Sequence, residues 1–252
     1  MLEIIKHDQI HELRLQRPPV NALNPELIRA LRIAIEQAPQ NGARGIVISG
    51  NPGMFSAGLD VPALLALDRE QLTTTWQDFF GLTAALACSP IPSVAAITGH
   101  SPAGGAVISI FCDYRIMAKG AFKIGLNEVQ VGLFVPENIQ LALRRLVGAY
   151  RAERLLVAGA MIDAVEALRI GMVDELIDID TVVPHAVSWL RELLKLPPQA
   201  QAATRKIARA DLIAAFSDPD KLPLGDFVDG WFAEESQTVL KSLVARLKAP
   251  KS

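Results

Sequence analysis

Apolar positions along the chain recur in two periods, and the alternation between them divides it into elements. Residues 2–5 and 12–16 alternate apolar and polar positions, which predicts two short strands joined as a hairpin through Asp8 and Gln9. In RPPVNALNPELIRALRIAIEQA the period lengthens. Asn24 caps a helix with Pro25 at its first position, and Leu27, Ile28, Leu31, Ile35 and Ala38 form its apolar stripe. The run GIVISG at 45–50 reads as a buried strand ended by the turn NPG. Residues 61–86 are amphipathic and helical, and SPIPS makes a rigid lead into a buried strand at 94–98.

The same logic carries to the end of the chain. AVISIFCD, after Gly104 and Gly105, is a largely apolar stretch and predicts a buried helix, followed by a strand at 114–118. Helices are predicted at 137–147 and 152–158, separated by Gly148. Asp163 caps AVEALRIG, which Gly171 stops, and 172–177 is the last clear strand. From Val182 onward the pattern is helical, broken at Pro197–Pro198 and by the turn-rich SDPDKLPLGD at 217–226. The elements predict an α/β core over residues 1–181 and an all-α C-terminal region over 182–252.

Charge and composition narrow the function classes. Lys and Arg total 25 against 27 Asp and Glu, with no basic block, so the electrostatic footprint of a nucleic-acid binder is missing. Half of the 252 residues are hydrophobic and 21% are charged, which is the balance of a globular chain. The opening MLEIIKHDQIHELRLQRP has neither the apolar core of a signal peptide nor an Arg/Ser-rich amphipathic pattern, and no apolar run reaches the length of a membrane span. Cys88 and Cys112 have no metal-type spacing. The expectation is a reduced, cytoplasmic setting with no membrane or metal partner.

Chemistry enters with two loops of small residues, each following a buried strand. In SPAGG, Ala103, Gly104 and Gly105 leave the N–H groups at a helix start uncovered, and in MFSAGLD, Ala57 and Gly58 do the same earlier in the chain. Two such donors aimed at one oxygen are what an oxyanion site requires. The same glycines would also let helix and strand pack closely, so the motifs alone leave both roles open.

The stretches PPVNALN, MFSAGLD, PIPSVAAITGHSPAGGAVISIFCDYRI, FKIGLNEVQVGL, LVGAYRAERLLVAG and AVEALRIGMVDEL cover about two thirds of the chain. In these the chain resembles the crotonase superfamily of enoyl-CoA hydratases and isomerases, and in SAGLD, SPAGG, CDYRI and IGLNE it is most similar to the mitochondrial-type Δ3,Δ2-enoyl-CoA isomerases. The resemblance implies a spiral of repeated ββα units with C-terminal helices that mediate trimer formation, as a homotrimer or a dimer of trimers. It implies an acyl-CoA thioester as substrate, with no separate cofactor because CoA is part of that substrate. Its oxyanion-hole donors fall on Leu59 and Gly104. Its CoA-lining segments fall on Pro19, Val20 and Ala22 and on Ala57, Leu59 and Asp60, beside Gly104.

The family's hydratases use two glutamates. Here the first position holds Val107 and the second Glu128. A valine cannot hold or deprotonate water, so the resemblance implies an isomerase in which Glu128 alone moves the proton. A hydratase, or a non-catalytic acyl-CoA-binding relative, is the alternative. Val107, Leu126, Leu133 and Phe134 are expected to exclude water and raise the pKa of Glu128. Glu137 is read as a helix start, Asn127 as a turn residue or an orienter of Glu128, and His100 as a structural hydrogen-bonding group. Asp60 is read as a helix cap and Asp113 as the anchor of a buried turn.

Overall fold

The computed structural model describes residues 1–218 and 222–248; the expected turn at 217–226 lies partly outside them, as does the chain end from 249. In chain order the elements are β1 (Leu2–His7), β2 (Ile10–Leu15), α1 (Pro25–Gln37), β3 (Gly45–Ser49), β4 (Gly53–Met54), α2 (Val61–Leu64), α3 (Arg69–Cys88) and β5 (Ser93–Ile97). They continue with β6 (Gly99–Pro102), α4 (Gly104–Phe111), β7 (Tyr114–Ala118), β8 (Lys123–Gly125), a 3₁₀ turn (Glu128–Val131), α5 (Glu137–Val147), α6 (Ala149–Ala158), β9 (Ile162–Asp163), α7 (Ala164–Ile170) and β10 (Glu175–Ile177). The described residues that follow form the helices α8 (Val182–Leu193), α9 (Pro198–Ala208), α10 (Ala210–Ala214), α11 (Leu224–Phe232) and α12 (Glu234–Lys248).

One sheet runs β1-β2-β3-β5-β7-β10, antiparallel only in the opening hairpin. Both faces are covered, which explains why its central strands read as continuous apolar runs. Ile10, Val47, Val94, Ala96, Ile116 and Ala118 pack under Val182, Ala186, Val187 and Leu190 of α8. The opposite face, with Leu13, Ile46, Ile48, Ala95 and Ile97, joins the main core with α1, α3 and α4. A second, smaller sheet runs β4-β6-β8-β9.

Local chemistry accounts for most of the boundaries. Asn24 accepts from the Leu27 N–H to start α1, and Asp163 accepts from the Glu166 N–H to start α7. The helix expected over 61–86 is instead two. Asp68 and Gln71 form a reciprocal capping box that begins α3 afresh after the short α2. The strand expected at 172–177 shortens to β10, because Gly171, in the left-handed conformation, closes α7 and the Met172 N–H is taken by Ala167 O.

The C-terminal helices are fastened to the core by charge. Asp113 accepts from the Ser93 N–H at 2.8 Å, from Arg205 at 2.7 and 2.8 Å, and from Arg209 at 3.1 Å. Burial alone would raise its pKa, but the Arg205 hydrogen bonds and the Arg209 charge hold it below the usual carboxylate value. Asp113 is thus the anchor the sequence led us to expect, and it also ties α9 and Arg209 to the turn before β7.

Candidate functional site

The two small-residue loops lie against each other. A Cβ placed on Gly58 would sit 3.1 Å from Gly104 N, and one on Gly104 would sit 3.6 Å from Leu59 N. At Gly58 the crowding against the other loop and a φ of +80° both call for glycine, and at Gly104 a side chain would meet the Leu23 Cδ1 at 2.8 Å. Leu23 pairs with Leu59 as a parallel bridge: the Leu23 N–H donates to Gly58 O at 2.8 Å and the Asp60 N–H to Leu23 O at 3.0 Å. That pairing uses the groups on either side of Leu59 and leaves its own N–H free. Among the described residues neither the Leu59 nor the Gly104 N–H donates to a protein acceptor. Two unclaimed donors therefore sit side by side at the start of α4.

The segment 17–23 is stitched to this loop pair. The Ala57 N–H donates to Val20 O at 2.9 Å, Ser56 Oγ donates to Asn21 O at 2.8 Å, and Asn21 Nδ2 donates to Phe55 O at 3.1 Å. Asn21 takes φ +51°, a conformation asparagine tolerates. Pro19 and Val20 are exposed, while Ala22, Ala57 and Leu59 are half-buried. Asp60 caps α2 through the Ala63 N–H at 3.1 Å and pairs with Arg17 at 2.6 Å, so its carboxylate is engaged within the protein. Arg17, Asn21 and Ser56 were not singled out by sequence reasoning. Their only signal is adjacency to PPVN and SAG.

Glu128 opens the 3₁₀ turn and is 8% exposed. Its Oε2 is buried with no hydrogen-bond partner, and burial pushes its pKa up to about 7, against a weaker lowering by its own main chain. The turn is tethered to the loop pair: β6 pairs with β8, and the Ala103 N–H donates to Gly125 O at 2.8 Å. Ala103 has φ +45°, a strained conformation for alanine that costs about 1–3 kcal/mol and must be held by its surroundings. Val107, Leu126 and Leu133 are buried in the main hydrophobic core. Phe134 is not sealed in with them; it is 41% exposed and its ring packs edge-on against Phe227 at 5.2 Å.

Glu137 and His100, two of the remaining candidates, have structural partners. Glu137 begins α5 and pairs with Arg144. His100 Nδ1 accepts from the Lys123 N–H at 3.1 Å, and its ring meets Phe122. Asn127 precedes the turn and makes no hydrogen bond to Glu128; its Oδ1 is buried without a partner. Among the described residues no group of three His, Cys, Asp or Glu side chains is placed to hold a metal ion, and no helix is long and apolar enough to cross a membrane.

A buried carboxylate with a pKa near neutrality can take and return a proton, and two adjacent unpaired N–H groups can stabilise an oxygen that gains charge. The fold that carries these groups, a largely parallel six-stranded sheet with a second small sheet and a helical C-terminal region, is of the crotonase kind. The sequence profile of the enoyl-CoA hydratase/isomerase family matches residues 6–219, and the chain belongs to that family. It is 31% identical over 242 residues to human mitochondrial enoyl-CoA delta isomerase 1, covering 95% of this chain and 80% of that protein. It is 32% identical over 211 residues to the "Probable enoyl-CoA hydratase EchA17" of Mycobacterium tuberculosis, covering 81% and 80%. The crystal structure of human mitochondrial Δ3,Δ2-enoyl-CoA isomerase superposes with a TM-score of 0.90 at 30% identity, covering 100% of this chain and 99% of that one.

Proposed function

We propose that the protein is an isomerase that moves the double bond of 3-enoyl-CoA thioesters into conjugation, giving trans-2-enoyl-CoA. The observation that carries this reading is the pairing of one buried carboxylate with no side-chain partner, Glu128, with a valine at position 107 of α4. Glu128 takes a proton from C2 of the acyl chain. The negative charge of the resulting dienolate spreads to the thioester oxygen, which accepts from the N–H groups of Leu59 and Gly104. The same carboxyl then returns the proton at C4, so the reaction balances with no other acid or base.

Pro19, Val20, Ala22, Ala57 and the main chain of Leu59 and Asp60 line the path of the CoA moiety in this reading, next to Gly104. The relative named as a hydratase, at a similar identity, favours hydration as the second reading. Hydration needs a group to activate water, and Val107 offers none. The assembly we propose is a homotrimer or a dimer of trimers. Tyr150, Val157 and Val165 on α6 and α7 support it, being large, apolar and 70–77% exposed.

Assays of the purified protein with 3-enoyl-CoA and with 2-enoyl-CoA test the reading. Isomerisation lost in Glu128→Gln supports it. Hydration surviving in that variant, or acyl-CoA binding without turnover by the wild type, refutes it.

A further inference from the structure

Glu128 Oε2 has no protein partner, so the aim of this carboxylate is set through the main chain of its turn, which is gripped from two sides. From α6, a Cβ on Gly159 would come within 2.8 Å of Val129 Cγ2, and Gln130 Nε2 donates to Gly159 O at 2.8 Å. From α12, Ser236 Oγ donates to Gly132 O at 2.7 Å. Ser236 is 3% exposed, and a Cβ on Gly132, where φ is +77°, would lie 3.0 Å from Ser236 Cα. The Leu133 N–H donates to Glu128 O at 3.1 Å and the Gly132 N–H to Val129 O at 3.2 Å, so the peptide that Ser236 holds closes the turn that carries Glu128.

The same helix reaches the other half of the site. α12 packs against α2, which follows directly on Leu59 and Asp60. Gln237 Nε2 donates to Trp231 O at 2.9 Å and fixes the corner between α11 and α12. A base that serves two carbons in succession must keep its oxygens free of strong partners, which would lower their affinity for the proton. Its placement then has to come from the backbone.

We propose that Ser236 is a positioning residue for Glu128: its hydrogen bond to the Gly132 carbonyl holds the Glu128–Val131 turn where proton transfer to and from the acyl chain can occur. This rests on Glu128 being the base, as proposed above. A misplacement of about 1 Å costs on the order of 10²-fold in rate, so loss of one such grip is read in kcat.

The test compares Ser236→Ala with Leu240→Ala, which removes a fully buried side chain from the same helix and keeps the Ser236 hydroxyl that bonds Gly132 O. Readouts are kcat, KM and the pH profile for 3-enoyl-CoA, with thermal unfolding alongside. Ser236→Ala is expected to lower kcat about 10-fold or more with KM nearly unchanged. The acidic limb of its kcat/KM profile should move to lower pH as water reaches Glu128. Leu240→Ala should lower stability while leaving that limb in place. Should Ser236→Ala not fold, Ser236→Cys, which keeps the volume and weakens the donor, decides by the same readouts. Wild-type kcat and limb in the Ser236 variant, or the same kinetic change in Leu240→Ala, would overturn the proposal. Glu128→Gln separates the two ideas: an inactive Glu128→Gln beside an unaffected Ser236→Ala defeats the positioning role alone, whereas a fully active Glu128→Gln defeats the base.

Discussion

The Ala103 N–H donates to Gly125 O at 2.8 Å, joining the residue before Gly104 to the strand end three residues before Glu128. Ala103 holds φ +45° in order to make this bond and still present Gly104 as the first residue of α4. The link thus ties the Gly104 donor to the segment that carries Glu128. Several outcomes depend on it and on the loops it joins.

Gly58→Ala pushes the two loops apart, since its Cβ would lie 3.0 Å from Ala103 Cβ and 3.1 Å from Gly104 N. Disturbing an oxyanion donor in this way is expected to lower kcat by ~10²- to 10³-fold. Steady-state kinetics on the folded variant check this, and a kcat close to that of the wild type would remove Leu59 and Gly104 from the mechanism.

Activity should follow the ionisation of Glu128. With its pKa at about 7, kcat/KM should fall about tenfold per unit as the pH drops below that value, since only the carboxylate accepts a proton. A limb near the ordinary carboxylate value of 4.5 would contradict the burial argument.

Stability runs the opposite way. The folded pKa of Glu128 is raised, so its neutral form contributes stability that is complete below about 4.5 and lost as the pH rises towards 7. Above that, the buried charge costs on the order of 3 kcal/mol. Glu128→Gln should therefore raise Tm at pH 8 more than at pH 5. Equal shifts at both values would show that the carboxylate is hydrated in the folded protein.

Asp113→Asn leaves Arg205 and Arg209 partly buried without their counter-charge and should cost about 3–5 kcal/mol in denaturant unfolding. Because the folded pKa of Asp113 is lowered, the wild-type contribution is present above the ordinary 3.8 and is lost as the pH falls through the folded value. A loss of stability below 1 kcal/mol would mean that the C-terminal helices do not depend on this anchor.

Much of the frame was legible because its signals are local. Asn24 before Pro25, Asp163 before AVEALRIG and the largely apolar AVISIFCD each identify an element without knowledge of its neighbours. The small sheet was not legible: β4 is two residues long, and β6, GHSP, has no alternation to read. The reciprocal cap of Asp68 and Gln71 lies inside an amphipathic run whose period hides the break. At the site, the glycine loops pointed to backbone donors and Glu128 stood out through the family's pattern. The strain at Ala103, the Asn21 and Ser56 stitches, and the Ser236 grip on Gly132 join residues far apart in sequence or depend on φ, and no spacing rule shows them.

Isomerisation of 3-enoyl-CoA by Glu128→Gln, measured beside its affinity for acyl-CoA, tests the central claim most directly. The glutamine is close in shape and cannot accept the proton, so the rate should fall by ~10²- to 10⁴-fold while binding persists. A variant that binds acyl-CoA and isomerises it at nearly the wild-type rate would show that another group moves the proton.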